Sequence, residues 1–340
     1  MSSLTDNMDR SPILEGRHSG LETRSAGASP LVIAVVVTRN RSALLKRCLD
    51  ALAQQTCAVA EILVIDNAST DDTQSVVAQA ACGPTYVRLE QNLGGAAGFH
   101  EGIRQGYEKG YDWFWVMDDD LIPEPDCLEK LTASSAFGEA DTGMMAAVVR
   151  TPDGELEERS CSRLLDIEAY RTLKIYGARE NGNSAERINC STFLGLLVSR
   201  RAVERVGLPN KEFFISGDDL EYCVRIDKSG LKGYLVWDAA VVHFSPNIER
   251  LKKWFLPAYT HIPRTALWKA YCGYRNRAYV IAQHCSTWAF LREFFRLFLA
   301  ILVYDDCKVQ RSRLLCKGFW NGWKGHLSVQ DVLSVLPTNR

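Results

Sequence analysis

Four apolar runs alternate with helical ones across the first 120 residues, and each apolar run stops at polar side chains. The runs are LVIAVVVTRN (31–40), EILVIDN (61–67), YVRLEQN (86–92) and DWFWVMDDD (112–120). Strands covered by helices on both faces read as near-continuous hydrophobic stretches, which is the pattern of a parallel sheet. Between them, SALLKRCLDALAQQT places Leu44, Leu45, Cys48, Leu49 and Leu52 at helical spacing behind a Ser42 cap. DDTQSVVAQAA and AAGFHEGIRQGYEKG are the next two helix candidates. Alternation with short connections predicts an α/β fold, a mostly parallel central sheet flanked by helices. Such sheets bind ligands beyond the carboxyl ends of their strands. Thr38-Arg39-Asn40, Asp66-Asn67, Gln91-Asn92 and Asp118-Asp119-Asp120 are therefore expected along one edge. Residues 151–189, rich in charge, Gly and Asn, read as a partly irregular insertion. STFLGLLVSRRAVERVG resumes strand and helix, and GLKGYLVWDAAVVHF reads as a hairpin or two short strands.

Composition matters here for its distribution. From Arg250 to Arg340 there are 15 Lys/Arg against 4 Asp/Glu and five of the eight tryptophans, so a net charge of −1 conceals a basic, aromatic end on an acidic body. That asymmetry points to an anionic surface as partner. The eleven cysteines form no CxxC pair or Cys/His cluster, which indicates neither zinc nor a disulfide framework. Residues 1–29 mix charge, Ser and Gly without an apolar core and read as a flexible leader, not a signal peptide. The run LFLAILVY (297–304) is far shorter than the ~20 residues of a spanning helix, so no transmembrane segment is expected.

Four constellations carry chemistry. Asp118, Asp119 and Asp120 repel one another unless something positive sits among them. Read blandly they are an acidic turn or helix cap before PEPDCLEKL; read as ligands they are a carboxylate site for Mg²⁺ or Mn²⁺. NLGGAAGFHEG (92–102) offers glycines ahead of a helix that let backbone approach a ligand, though it matches neither the Walker A nor the dinucleotide fingerprint. Asp218 and Asp219 in FFISGDDLEYCVRI open a helix; they are either acids favoured by its dipole or a general base with a raised pKa. His243, inside the apolar VVHF, is either a core histidine or the imidazole that completes an Asp-based site, a mixture that suits Mn²⁺ better than Mg²⁺.

In this order VVVTRNR, VIDNASTDDT, MDDD, GDDLEYCVR and VVHF resemble the family 2 glycosyltransferases and their GT-A nucleotide-sugar fold, over roughly residues 31–249. The resemblance implies that Thr38, Arg39 and Asp66 line the nucleoside pocket, and that Asn92 and Gly94 lie near the diphosphate or the sugar. It implies that Asp118 and Asp120 straddle a divalent metal, Mn²⁺ or Mg²⁺, with His243 completing the shell and Asp119 nearer the donor sugar. Asp219 becomes the catalytic base, with Asp218 beside it for the acceptor. This chain has Asp-Asp where many members have Glu-Asp, which leaves the two carboxylates in competition for the proton. QNLGGAAGFHEGI is most similar to the galactofuranosyltransferases, implying a UDP-galactofuranose donor and a glycan or lipid-linked glycan acceptor. Rhamnosyltransferases using a dTDP sugar come next. A catalytically inactive sugar-nucleotide scaffold is the alternative from another class, against which the complete acidic set argues. A nucleotidyltransferase would need a glycine-rich loop after the first strand, where TRNRSALLKR has none.

The expected organisation is a leader (1–29), a GT-A catalytic domain (30–249) and a helical C-terminal extension (250–340). WAFLREFFRLFLAILVY (288–304), followed by Lys308, Arg311, Arg313, Lys317 and Lys324, reads as an interfacial helix beside anionic lipid. No nucleic-acid-binding module is present. A cytoplasmic protein peripheral to the inner face of the cell membrane is the expectation, and the oligomeric state is not encoded in any feature of the chain.

Overall fold

Strand β1 (Val32–Thr38) is buried at all seven positions, because it lies inside the sheet with helices on both faces. The computed structural model describes residues 30–157, 162–175, 184–244, 250–251 and 259–333. The expected leader, residues 1–29, lies outside them. Beyond β1 the chain runs through α1 (Ser42–Ala53), β2 (Glu61–Asp66), α2 (Thr73–Gln79), β3 (Thr85–Arg88), α3 (Gly95–Glu108) and β4 (Trp113–Asp118). It continues through β5 (Leu121–Pro123), α4 (Cys127–Ala133), β6 (Thr142–Arg150), β7 (Arg163–Asp166), β8 (Arg171–Ile175), β9 (Ala185–Ile188), β10 (Leu196–Ser199), α5 (Arg200–Val206), α6 (Asp218–Lys228) and β11 (Lys232–His243). Three long helices follow, α7 (Leu267–His284), α8 (Thr287–Tyr304) and α9 (Lys308–Trp323), then the short α10 (Val329–Leu333).

The central sheet has the order β3-β2-β1-β4-β10-β6-β11-β5, with β9 also paired to β11. The half containing β3, β2, β1 and β4 is parallel. In the other half β10 runs antiparallel to both β4 and β6, while β6 and β11 are parallel, so the sheet is mixed. Register levels the carboxyl ends: Thr38 lies opposite Asp66, Val37 opposite Asp118, and Asp66 opposite Arg88. The anticipated polar edge is therefore present at β1, β2 and β4. One expectation is corrected. Residues 232–243 form a single 12-residue strand, not a hairpin or two short strands. Its register shifts between Val236 and Ala240, where Asp238 is exposed. A bulge of that kind breaks the period of two without ending the strand.

Two apolar layers sandwich the sheet, one under α1 and α4 and the other under α3, α5 and α6. Helix α3 lies unusually close to its strands. A Cβ at Gly98 would stand 2.5 Å from Val37 Cγ1, one at Gly102 2.2 Å from Val35 Cγ1, and one at Gly106 2.9 Å from Phe114 Cδ1. The glycines spaced by four thus admit the sheet; of those in the glycine-rich turn that suggested ligand contact, Gly98 is the one taken up by this packing. Helices α7, α8 and α9 build a third cluster around Ala270, Tyr274, Leu297, Ile301, Leu315 and Phe319. Leu31–Arg340 forms one compact unit, so the C-terminal helices are not a detached module.

Candidate functional site

At the carboxyl end of β4 the three aspartates have different environments. Asp119 is buried; its Oδ2 accepts from Thr38 Oγ1 at 2.7 Å and from the Arg39 amide at 3.4 Å, and its Oδ1 faces Arg41 Nη1 at 3.2 Å. Burial raises its pKa, with Thr38 and Arg41 opposing. Asp120 Oδ2 takes the same Arg41 Nη1 at 2.7 Å. Burial alone would raise Asp120, but His243 and Arg41 bring it below the usual carboxylate range. Asp118, half-buried at the strand end, accepts no hydrogen bond from a described residue. Burial, then the charges of Asp120 and Asp119, raise it well above its ordinary value, and the charge of Asp218 adds to this. Asp118 and the first turn of α6 therefore share one electrostatic environment.

The metal expectation has a structural test. Asp120 Oδ1 is buried with no hydrogen bond, 3.4 Å from His243 Nε2. On its other side the imidazole meets Glu157 through Nδ1 at 2.7 Å, the arrangement that orients a ligating histidine. An orphaned carboxylate oxygen, a second unpartnered carboxylate at Asp118 and an oriented imidazole are hard-oxygen and borderline-nitrogen donors of the kind Mn²⁺ takes, and less favourably Mg²⁺. The donor types suit such an ion, but among the described residues the set of three whose ligand atoms all lie within 4.8 Å of one another is His261, Asp305 and Asp306, not Asp118, Asp120 and His243. Burial would lower the His243 pKa, but the Asp120 and Glu157 carboxylates outweigh it and hold the imidazole at about 9. Arg41 is thus the fixed positive charge among the acids, and His243 adds a second when no ion takes its Nε2. Arg41 was not singled out from the sequence; its signal was a second basic residue directly after the first strand, in TRNR.

Asp66 is 1% exposed and engaged within the protein. Its Oδ1 accepts from the Ser69 amide at 2.9 Å and the Ser69 hydroxyl at 2.5 Å, its Oδ2 from Tyr86 OH at 2.5 Å. Asn92 Oδ1 caps the Gly94 amide at 3.0 Å. Gly94 has φ 82°, and a Cβ there would stand 2.1 Å from the Phe214 carbonyl oxygen, so this glycine is needed to seat the 213–217 loop. Asn67 Nδ2 donates to Gly94 O at 3.0 Å, which ties the end of β2 to the turn before α3, and Asn67 Oδ1 is buried without a hydrogen bond.

The 213–217 loop carries the second acidic pair. Phe214 sits at φ 67°, ψ −65°, and the Ile215 amide donates to Phe213 O at 2.8 Å, a γ-turn of the rare, strained hand. Ser216 and Gly217 follow at φ 67° and 87°. What holds this backbone comes from α7. Asn276 Nδ2 donates to the carbonyls of Phe213, Ile215 and Ser216 at 2.9, 2.8 and 2.8 Å. Arg275, fully buried, donates through Nη2 to Glu212 O and Phe213 O at 2.9 and 3.0 Å. Helix α6 then starts at Asp218. Burial, then the neighbouring Asp219 charge, pushes Asp218 up to about 8. Burial also raises Asp219, with the Leu220 amide and Arg163 opposing.

Asp219 lines a cavity of about 390 Å³ with Thr192, Arg163, Tyr170 and, from α8 and α7, Glu293, Arg296 and Arg277. Thr192 Oγ1 is buried there without a partner. Arg277 and Arg296 both contact Glu293 at 2.7 Å. The arrangement can hold the Asp219 carboxyl, raised by burial, against a polar molecule in this cavity.

The glycosyl transferase family 2 model matches residues 33–207. The chain is 29% identical over 259 residues to galactofuranosyltransferase GlfT1 of Mycolicibacterium smegmatis, covering 74% of this chain and 83% of that protein. To GlfT1 of Mycobacterium tuberculosis it is 30% identical over 256 residues, covering 74% and 82%. In three dimensions it resembles GalNAc-T7, solved with UDP, GalNAc and Mn²⁺, at a TM-score of 0.56 and 15% identity, over 91% of this chain and 58% of that one. That likeness establishes a GT-A fold, and the α7–α9 helices are its helical C-terminal region. On the family match and these relatives, the chain is a glycosyltransferase and belongs to glycosyl transferase family 2.

Proposed function

We propose that the protein is a metal-dependent, inverting galactofuranosyltransferase that moves galactofuranose from UDP-galactofuranose to a glycan or lipid-linked glycan acceptor. The observation that carries this reading is the cavity wall formed by Asp219, a carboxyl raised by burial whose neighbour Asp218 is felt electrostatically by Asp118 at the end of β4. The donor sugar is supported by the mycobacterial galactofuranosyltransferase relatives.

In this reading Asp118, Asp120 and His243 hold Mn²⁺ or Mg²⁺, which when bound offsets the charge gained by a leaving nucleoside diphosphate. Asp119, fixed by Thr38 and the Arg39 amide, faces the donor sugar. Asp66, with Thr38 and Arg39, bounds the nucleoside side, and Asn92 and Gly94 shape the loop near the diphosphate. An acceptor hydroxyl, whose pKa is far above neutral, loses its proton to Asp219 as its oxygen attacks the anomeric carbon. Attack from the face opposite the leaving group inverts that carbon. Asp218, kept neutral by burial, orients the acceptor. Residues 30–249 carry this chemistry, and 250–340 brace it and meet the inner face of the cell membrane from the cytoplasm.

The test is nucleotide release from UDP-galactofuranose, UDP-galactopyranose and dTDP-rhamnose with Mn²⁺ and a lipid-linked glycan acceptor. UDP release from the furanose donor alone is expected. Release from dTDP-rhamnose alone overturns the donor, and an Asp219→Asn variant that turns over at the wild-type rate overturns the base.

A further inference from the structure

Helix α8 has two working edges. Glu293 and Arg296 line the Asp219 cavity. Trp288, Leu291, Phe295, Leu299 and Leu302 are all exposed, Trp288 at 71% and Phe295 at 63%. At 100° per residue these five fall within about 80° of one another on the helical wheel, a single stripe. The buried positions Ala289, Glu293, Leu297, Ala300 and Ile301 lie on the opposite side. A stripe of large apolar side chains left in water is a mark of a contact surface, whereas scattered ones need no explanation.

Helix α9 repeats the pattern with charge added. Its outward face carries Val309, Trp320 and Trp323, and along one border of that face lie the exposed Arg313, Lys317 and Lys324. Lys324 Nζ lies 5.2 and 4.6 Å from the Trp320 and Trp323 rings. No Asp or Glu occurs anywhere in Lys308–Trp323. Phe290 and Phe294 near the start of α8 meet Phe319 near the end of α9 edge to face, so the two helices run antiparallel. With that contact fixed, the wheel of each helix turns its exposed stripe to the same side of the pair. Among the described residues no helix is long and apolar enough to cross a membrane.

We infer that the shared outer side of α8 and α9 is a docking face for the surface of an anionic lipid bilayer. Trp288, Phe295 and Leu299 enter the headgroup layer, and Arg313, Lys317 and Lys324 meet lipid phosphate, the charge complement of a helix that has only cations. Tryptophan with an adjacent lysine is suited to that boundary, where one end is apolar and the other wet. Because α8 also walls the Asp219 cavity, docking sets the cavity beside the bilayer. For the acceptor this consequence rests on the function proposed above; the docking itself does not.

The experiment is co-sedimentation of the full chain, without donor or metal, with phosphatidylcholine vesicles and with vesicles containing one-third phosphatidylglycerol. At low salt we expect most of the protein to pellet with the anionic vesicles, little with the zwitterionic ones, and several-fold less at high salt. Phe295→Glu combined with Leu299→Glu should abolish pelleting, and Lys317→Glu combined with Lys324→Glu should remove its dependence on phosphatidylglycerol. Both pairs are exposed, and circular dichroism melting checks their folding; Trp320→Ser is the alternative for a variant that fails it. Wild-type protein that stays in solution with anionic vesicles overturns the inference. So does a dimer in sedimentation velocity that Phe295→Glu converts to monomer, which would make this face a contact between copies. Since no turnover is read, loss of docking and loss of the transferase reading are separate results.

Discussion

Replacing Asn276 by Ala tests whether the C-terminal helices set the geometry of the proposed base. The side chain is 1% exposed and spans three carbonyls, of Phe213, Ile215 and Ser216, at 2.8–2.9 Å. Leaving a buried carbonyl without its donor costs about 1–3 kcal/mol. Ser216 is exposed, so water can replace its bond, and Phe213 O keeps Arg275, so the net loss is the Ile215 bond, about 1–3 kcal/mol. That loop holds Phe214 and Ser216 at φ 67°, conformations that cost about 1–3 kcal/mol each for residues with a Cβ. The anchoring removed is thus comparable to the strain stored at either residue, and the loop relaxes toward other conformers. Arg275 still donates to Glu212 O and Phe213 O, so the domain stays folded. A shift of about 1 Å at a catalytic group lowers kcat by roughly 10²-fold. The assay is nucleotide release under saturating donor beside calorimetric donor binding. We expect kcat to fall by about that factor with Kd within twofold. A variant whose kcat stays within threefold of wild type, with the loss of the amide confirmed by sequence, refutes the positioning role.

Four further outcomes follow from the same geometry. Asp218 has a folded pKa of about 8 against about 3.9 unfolded, so its neutral form stabilises the fold at low pH and that contribution is lost as pH rises through 8. Asp218→Asn should therefore raise Tm relative to wild type by an increment that grows from pH 5 to 8; a difference flat across that range counts against it. Asp120→Ala removes the orphaned oxygen and should weaken Mn²⁺-dependent donor binding by tenfold or more while leaving binding in EDTA unchanged, as titration calorimetry would read. Gly102→Ala sets a Cβ 2.2 Å from Val35 Cγ1, an overpacking of about 1–3 kcal/mol that a helix-propensity gain of about 1 offsets only in part. Its Tm should fall, Gly95→Ala, whose Cβ would meet only Phe99 Cε2 at 4.0 Å, should not, and Val35→Ala should restore the first. Arg41→Ala should lower Tm in EDTA and recover with millimolar Mn²⁺; equal Tm values with and without the ion would show that Arg41 does not balance the acids.

The parallel half of the sheet was legible because β1, β2 and β4 are buried on both faces and had to be written as unbroken hydrophobic runs. Their polar ends followed from the same logic, and register brings Thr38, Asp66 and Asp118 level as expected. Strand β11 was misjudged because a bulge near Asp238 disrupts alternation locally, and a one-dimensional pattern cannot separate a bulge from a turn. The glycines of α3 were ambiguous for a related reason. A missing Cβ admits a phosphate or a strand equally well, and here Val35, Val37 and Phe114 occupy the space. Arg275 and Asn276 were invisible. In YCGYRNRAY they look like the solvated face of an amphipathic helix, and only the fold brings them to carbonyls some sixty residues away.

The acidic cluster makes sense once its charges are taken together. Asp118, Asp119, Asp120 and Glu157 crowd one end of the sheet, where unopposed carboxylates would be driven to protonate. Two cations sit among them instead: Arg41, which spans Asp119 and Asp120, and His243, raised to about 9 between Asp120 and Glu157. Neither closes the site. Arg41 is half-exposed on a flexible side chain, Asp120 Oδ1 still lacks a hydrogen bond, and Asp118 has no partner among the described residues. The ion pair with His243 at 3.4 Å partly offsets the cost of burying that oxygen without giving it a hydrogen bond. In the proposed function, the hydrogen-bonding capacity left at Asp120 Oδ1 and Asp118 serves a cation that arrives with its ligand.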